Sequence, residues 1–237
     1  GGPIPEMNIK QKLKKLPKSP GVYLMKDAKG VVLYIGKAKD LSKRVHSYFQ
    51  ENRPMTRRQM QMMENVRDLD YIITASEEEA LIYEANLIKE KKPKYNVELK
   101  DDKSFPFLKL TLNEKFPRLS ITRKKVKDGA RYFGPYTRVK LLRKALSVMK
   151  SIFPLRTCRK IPKEVCLSYH IGQCLGPCIK KINEKGYQEI IRQLILFLEG
   201  KKKRLLKELE QKMRDASKKE DFEDAAIIRN RISALSE

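Results

Sequence analysis

Residues 21–36, GVYLMKDAKGVVLYIG, consist of two apolar runs joined by the turn-prone residues KDAKG. If residues 27–30 close a β-hairpin, Tyr23 lies directly opposite Tyr34 on one face. The other face is then wholly apolar and consists of Val22, Leu24, Leu33 and Ile35. One apolar face is enough to build a core, so this register predicts another purpose for the tyrosine face.

After the hairpin the apolar spacing becomes that of a helix. Asp40 stands where an N-cap residue is expected, and the helix should run to about Phe49. Its buried side is then formed by every fourth residue: Leu41, Val45 and Phe49.

A further strand and helix complete the first region. Residues 70–75, DYIITA, read as a strand, and Ser76 with Glu79 forms a capping box for the helix that follows. Pro93 should end that helix. We therefore predict a small α/β domain over residues 7–100, with a central antiparallel sheet flanked by helices.

The second region, residues 101–186, is a mixed, cysteine-rich stretch. Residues 105–134 alternate as short strands, and a helix is predicted over about 137–152. All four cysteines of the chain then fall within residues 158–178.

Residues 187–237 look helical, with a break near 218–221 that predicts an antiparallel helical hairpin over about 202–237. Its two arms should meet through the side chains of Leu205, Leu209, Met213 and Ala216 on one side and Phe222, Ala225, Ala226, Arg229 and Ile232 on the other.

The charge is distributed unevenly along the chain. The net charge is +24, yet residues 204–237 are neutral, so the whole excess lies before them. Such an excess favours a polyanionic partner, and nucleic acid is favoured over a membrane because no basic amphipathic anchor stands out. A generically basic protein remains the alternative. No apolar run approaches the length of a membrane helix, which predicts a cytoplasmic protein without a membrane partner.

The first six residues, GGPIPE, precede Met7 and resemble the remnant of a cloning tag, so we set them aside. No motif for a small-molecule substrate stands out either.

Five short motifs occur in order along the first region: GVY (21–23), YIG (34–36), KRVHSYF (43–49), YEANLIK (83–89) and KPKYN (92–96). Together they resemble the GIY-YIG nuclease domain in the form found in the UvrC family of bacterial nucleotide excision repair. RYFGPYT (131–137), FPLRTC (153–158), IGQCLGPC (171–178) and FLEGK (197–201) resemble the segment that follows the nuclease in that family. Residues 213–232 resemble its UVR motif, with Asn230 where an aspartate is usual. Members of the family carry a second nuclease and a helix-hairpin-helix region further on, so we expect this chain to be a fragment.

The resemblance implies cleavage of a DNA phosphodiester on the 3′ side of a lesion, with one divalent metal ion. The site residues that it implies are Tyr23, Tyr34, Lys37, Arg44, Tyr48, Glu84 and Asn96. Glu84 would bind Mg²⁺ or Mn²⁺, because a hard cation prefers oxygen ligands. Arg44 would meet the phosphate oxygens.

Tyr34 is the candidate general base for the attacking water. A phenol has a pKa of about 10, so we expect Lys37 or the metal-bound water to lower it. Tyr23 would position the water, and Tyr48 and Asn96 would hold the substrate or the network. Tyr34 as a covalent nucleophile is the alternative.

The resemblance also implies partners: damaged double-stranded DNA and the UvrB helicase, which the UVR hairpin would contact. The expected contact residues are Met213, Phe222, Glu223, Ala226 and Arg229. The competing interpretation is a non-catalytic, basic DNA-binding adaptor that recruits a helicase, with purely structural tyrosines.

Cys158, Cys166, Cys174 and Cys178 have the spacing C-x7-C-x7-C-x3-C. Four cysteines so close together indicate a shared ligand role, and disulfides are rare in a reducing compartment. A structural zinc ion usually takes two close pairs, whereas a [4Fe–4S] cluster fits this spacing at least as well. The family resemblance favours the cluster; zinc and inert thiols are the alternatives.

Overall fold

The computed structural model describes residues 9–51, 53–96 and 105–236. The chain divides into two compact units, Gly1–Lys100 and Asp101–Glu237. The suspected tag remnant, residues 1–6, lies outside the described residues.

The first unit is built around a three-stranded antiparallel sheet with the strand order β2-β1-β3. Its elements are α1 (Ile9–Lys14), β1 (Gly21–Lys26), β2 (Val32–Ala38), α2 (Leu41–His46), α3 (Arg57–Asn65), β3 (Asp68–Ile73) and α4 (Glu77–Lys91). Apolar residues of α4 cover one face of the sheet, and those of α1, α2 and α3 cover the other. The predicted α/β fold with a central antiparallel sheet is confirmed.

The hairpin of β1 and β2 has a different register from the predicted one. Tyr23 lies opposite Gly36, and Tyr34 lies opposite Met25. The loop is longer than predicted, because the Asp27 N–H donates to the carbonyl of Val31 at 3.0 Å. The shift between Tyr23 and Tyr34 is an even number of residues, so both rings still occupy one face.

A β-bulge near the loop exchanges the faces of two neighbouring residues. The pairing shifts between Met25 and Lys26, with Lys26 opposite Val32. Leu33 therefore joins the buried cluster of Tyr23, and Val32 packs on the α4 side. The prediction that Leu33 shares a face with Val22, Leu24 and Ile35 was wrong for this reason.

Helix α2 is shorter than predicted. Asp40 caps it as expected, accepting from the Lys43 N–H at 2.8 Å, but the helix ends at His46. Phe49 is therefore not part of a buried stripe and is 39% exposed, whereas Tyr48 is buried. The sequence analysis also missed α3, whose capping box joins Thr56 and Gln59.

Helix α4 begins and ends where the sequence predicted. The Ser76 hydroxyl accepts from the Glu79 N–H, and the Glu79 carboxylate accepts from the Ala75 N–H at 2.8 Å. Lys92 ends the helix in the left-handed conformation, directly before Pro93. These two ends fix the position along the sheet of every side chain on α4.

The second unit contains a smaller antiparallel sheet, of order β5-β4-β6, and most of the helices. Its elements are β4 (Phe107–Leu110), β5 (Leu119–Thr122), β6 (Arg131–Phe133), α5 (Val139–Ile152), α6 (Leu167–His170), α7 (Glu184–Leu198), α8 (Lys202–Lys218) and α9 (Phe222–Ser236). The predicted strands and the predicted helix near 137–152 are present.

Helices α8 and α9 pack against each other as the predicted antiparallel hairpin, and the chain turns between Lys218 and Phe222. Leu205, Leu209 and Ala225 are buried as expected. Phe222, in contrast, is 68% exposed and Arg229 is exposed as well, so the assignment of these two residues to the packed seam was wrong. No helix among the described residues is long and apolar enough to cross a membrane.

Candidate active site

Three tyrosine rings meet on the α2 side of the sheet. The ring centroids of Tyr23, Tyr34 and Tyr48 are 6.0–6.5 Å apart in every pair. The hydroxyls of Tyr23 and Tyr48 are hydrogen-bonded at 3.0 Å. Tyr23 and Tyr48 are buried and Tyr34 is partly exposed, so Tyr34 is the member of the cluster that solvent reaches.

The residue opposite Tyr23 must be glycine for this cluster to form. A Cβ atom built on Gly36 would lie 2.4 Å from the Tyr23 hydroxyl oxygen. That is far inside van der Waals contact, so any side chain at residue 36 would displace the Tyr23 ring. The glycine of the YIG motif thus has a steric role.

Two guanidinium groups flank Tyr48. Arg44 Nη2 donates to the Tyr48 hydroxyl at 3.4 Å, and the Arg44 Cζ atom lies 5.3 Å from the ring centroid. The Arg53 Cζ atom is closer to the same ring, at 4.4 Å. The sequence analysis missed Arg53, because it lies in an irregular segment without a pattern that would place it.

Lys37 joins β2 to two carboxylates of α4. Its backbone N–H donates to Glu84 Oε1 at 3.1 Å, while its ammonium pairs with Glu77 Oε1 at 2.7 Å. The Lys37 side chain is only 7% exposed. Glu77 was missed, although its position seven residues before Glu84 places both on one face of the helix.

Asn96 binds the backbone of β2. Its Oδ1 accepts from the Ile35 N–H and its Nδ2 donates to the Ile35 carbonyl, both at 2.8 Å. The Tyr95 N–H also donates to the Leu33 carbonyl at 3.0 Å. The amide of Asn96 therefore holds the segment after α4 along the edge of the sheet, next to the residue that follows Tyr34.

A general base at neutral pH needs a lowered phenol pKa, but the pKa values of Tyr34 and Tyr23 are raised. Burial, followed by the neighbouring Tyr48 and then by Glu84, raises the pKa of Tyr34. Burial also raises the pKa of Tyr23, with contributions from Tyr34 and Tyr48. Arg44 is the cation that opposes this rise, whereas the Lys37 ammonium pairs with Glu77.

The chain matches known families along almost its whole described length. Residues 19–97 match the UvrC-like GIY-YIG domain, residues 105–197 the middle domain of the UvrC/Cho excinucleases, and residues 203–237 the UvrB/UvrC motif. The UvrABC system protein C of Moorella thermoacetica is 46% identical over 98% of this chain. That of Alkaliphilus metalliredigens is 47% identical over 96%.

The chain belongs to the UvrC family.

The chain spans 38% of the length of these UvrC relatives. It is also similar to a solved structure, the GIY-YIG N-terminal endonuclease domain of UvrC from Thermotoga maritima bound to magnesium, its catalytic divalent cation. The identity is 47% and the TM-score 0.34, over 38% of this chain and 96% of that one.

Of the four cysteines of this UvrC chain, Cys174 is buried and the other three are partly exposed. Burial raises the pKa of the Cys174 thiol. All four thiols are free. Nevertheless, no three His, Cys, Asp or Glu side chains among residues 9–51, 53–96 and 105–236 are arranged to hold a metal ion. The chain thus has four thiol donors, but among the described residues no three of them are arranged around a common point.

The five residues expected to contact UvrB lie on the α8–α9 hairpin. Phe222, Glu223 and Arg229 are exposed, and Met213 and Ala226 are half-buried. Ile227, which the sequence analysis did not include, is 50% exposed on the same helix as Phe222. Two large apolar side chains therefore face solvent on α9.

Proposed function

We propose that the chain is a metal-dependent DNA endonuclease that acts in bacterial nucleotide excision repair and cuts on the 3′ side of a lesion. The observation that supports this most is the convergence of three tyrosines and Arg44 on one side of the sheet, with Glu84 bound to the backbone of Lys37. A purely structural aromatic cluster would not need Arg44 and Arg53 against the Tyr48 ring or the Glu84 carboxylate near Tyr34.

Glu84 is the residue that would hold the cation. It offers a carboxylate fixed to the strand through the Lys37 N–H, and Mg²⁺ commonly binds proteins through one or two carboxylates plus water and phosphate oxygens. When bound, the cation supplies a Lewis acid for the leaving oxygen and a positive charge that opposes the rise of the Tyr34 pKa. Mn²⁺ fits the same donor.

The chain's own residues have distinct roles in this proposal. Arg44, exposed at the edge of the cluster, meets the non-bridging phosphate oxygens. Tyr34 would accept the proton of the attacking water as a phenolate, the form that a bound cation would favour, and would become the neutral phenol. The buried Tyr23 and Tyr48 fix the Tyr34 ring through their contacts. Asn96 acts on β2 through the Ile35 backbone.

The decisive experiment separates cleavage from binding. Glu84→Gln should abolish Mg²⁺-dependent cleavage of a lesion-bearing duplex while its affinity for the duplex stays within about twofold. Glu90→Gln, an exposed carboxylate on the same helix, is the matched control and should cleave normally. If the unaltered chain binds DNA without cutting it, with Mg²⁺, Mn²⁺ and UvrB all present, the adaptor function replaces the nuclease.

The side of the incision is tested with a duplex that carries one lesion and a 5′ label on the damaged strand. The proposal expects a single cut on the 3′ side, detected as one labelled fragment longer than the distance to the lesion. A cut on the 5′ side would refute this part alone.

We propose that UvrB recruits the chain through the α8–α9 hairpin in the cytoplasm. Phe222 is the best anchor, because a large apolar side chain that is 68% exposed gains most from burial at an interface. Phe222→Ala should weaken UvrB binding about tenfold or more, measured by calorimetry. Leu112→Ala, at an exposed apolar residue of the second unit outside the hairpin, should leave the affinity for UvrB unchanged.

We propose a [4Fe–4S] cluster at the four cysteines, with zinc as the alternative. The support is the number and spacing of the cysteines, four within residues 158–178. Anaerobically purified protein should show a broad visible absorption and about four irons per chain. A colourless protein with one zinc would favour the alternative, and a protein with neither metal would leave structural thiols.

A further inference from the structure

Helix α5 carries three cations on its exposed side. Lys140, Arg143 and Lys144 are exposed, as is Ser147 one turn further on. At 3.6 residues per turn these four residues share about one third of the helix circumference. The opposite side is buried and consists of Leu141, Leu142, Ala145, Met149 and Ile152.

These cations are not balanced by neighbouring carboxylates. No aspartate or glutamate occurs in residues 139–152. Within the part of the chain that the structure describes, Lys140, Arg143 and Lys144 form no ion pair. On α7, by contrast, Arg192 pairs with Glu208 at 2.7 Å and lies beside Glu189.

The local charge makes this arrangement costly. Residues 105–200 contain 21 lysines and arginines against six acidic residues. Like charges at i and i+4, such as Lys140 and Lys144, repel each other and destabilise a helix. A solvated surface helix usually reduces this cost by interspersing both signs, which α8 does with Arg204 and Glu208.

We propose that the exposed face of α5, formed by Lys140, Arg143, Lys144 and Ser147, binds the phosphate backbone of duplex DNA. Lysine, arginine and serine are typical phosphate contacts and carry no base preference, which suits a protein that must accept any sequence around a lesion. The choice of DNA among polyanions rests on the proposed function.

An anionic membrane fits this helix less well. A helix that lies on a membrane inserts its apolar side between the lipids. The apolar side of α5 is already buried, because the helix packs against β5 and α9. Only the cationic side remains, and it can contact a charged backbone without burying apolar surface.

The salt dependence of DNA binding tests the proposal without any cleavage. The full chain carrying Glu84→Gln is titrated with an undamaged duplex in EDTA, from 50 to 300 mM salt. Each phosphate contact contributes a slope of about 0.9 to the fall of log Kobs with log[salt]. The triple variant Lys140→Gln, Arg143→Gln, Lys144→Gln should therefore reduce the slope by about 2 to 3 and weaken binding on the order of tenfold or more at 50 mM salt.

The matched control removes the same number of positive charges from the α8–α9 hairpin. Arg214, Lys218 and Lys219 are exposed in the neutral hairpin, so their replacement by glutamine should change the slope by less than about one contact. The single variant Lys144→Gln should give about one third of the triple effect.

The α5 proposal is overturned if the α5 triple variant is folded, as judged by circular dichroism, and its log Kobs falls with log[salt] at the same slope as in the hairpin control variant. It is also overturned if the α5 variant loses binding to vesicles with 30% anionic lipid but not to DNA. If the unaltered chain shows no Mg²⁺-dependent cleavage, the nuclease function is refuted, whereas the result on DNA binding by α5 still holds.

Discussion

The ammonium of Lys37 lies 2.7 Å from Glu77 Oε1, and the backbone N–H of the same lysine donates to Glu84 Oε1. Lys37 stands three residues after Tyr34 and one after the glycine that makes room for Tyr23. Its orientation is therefore set by a carboxylate from another element. Under the proposed function, Glu77 determines where the Lys37 ammonium stands relative to the substrate.

Glu77→Gln should lower the cleavage rate about tenfold or more, because a cation that is no longer held in place stabilises the transition state less. The measurement is single-turnover cleavage with Mg²⁺. Glu78→Gln is the control: it removes the same charge from the same first turn of α4, and with it the same helix-dipole interaction.

A double-mutant cycle decides whether Glu77 acts through Lys37. In a Lys37→Met background the further change Glu77→Gln should have little effect on the rate. Full additivity of the two changes would show that Glu77 does not act through Lys37.

Gly36→Ala should destabilise the nuclease unit by roughly 1–3 kcal/mol, because the new Cβ would overlap the Tyr23 hydroxyl and force the ring to move. The thermal unfolding temperature and the cleavage rate should both fall. Gly186→Ala, in the first turn of α7, places its Cβ no closer than 3.3 Å to any side-chain atom and should cost clearly less stability than Gly36→Ala. Equal stability of the two variants would contradict the steric role of Gly36.

Asn96→Ala should cost roughly 1–3 kcal/mol of stability, since both Ile35 backbone groups would lose their side-chain partners. Denaturant unfolding without DNA or metal measures this directly. Asn65→Ala, at an exposed position on α3, should change stability by less than about 0.5 kcal/mol. If Asn96→Ala unfolds like the unaltered chain but loses DNA affinity, Asn96 contacts substrate instead.

The attachment of the hairpin to α7 should depend on pH through Glu189. Hydrogen bonds from Arg192, then Lys212 and Gln193, lower the pKa of Glu189 from 4.5 to about 2. The folded-state pKa is the lower one, so the stabilisation is complete above about pH 4.5 and is lost as the pH falls toward 2. Because the Glu189 side chain is one-third exposed, solvent screening reduces the expected contribution to roughly 1 kcal/mol.

Glu189→Gln should therefore be less stable than the unaltered chain at pH 7, and the difference should shrink by pH 3.5. Urea unfolding at pH 7, 5 and 3.5 measures it. Glu210→Gln, at an exposed position on α8, should show no such pH dependence. A difference that stays constant over this range would exclude the carboxylate as its source.

Much of the first unit was predictable because its signals are local. Asp40, Ser76 and Pro93 delimit helices through hydrogen bonds and steric limits that involve only near neighbours. The shared face of Tyr23 and Tyr34 follows from the two-residue period of a strand and survives the register error. Residues such as Lys37, Arg44 and Glu84 were recognised through their motifs.

The register itself depended on the tertiary structure. The Asp27 carboxylate accepts from the N–H groups of Lys29 and Val31 and builds a longer loop than the predicted one. The space above Gly36 then accommodates the Tyr23 ring. The period of apolar residues predicts neither the loop length nor the space above Gly36, because the loop and the strand pairing depend on each other.

The sequence alone indicated the three strands of the first sheet, the helices α2 and α4, the shared face of Tyr23 and Tyr34, and the candidate site residues. Only the tertiary structure decided that Glu77 takes the Lys37 ammonium, that Arg53 joins Tyr48, and that burial raises the Tyr34 pKa. Those outcomes depend on distances between elements far apart in the chain, and a pattern of residue types carries no such distances.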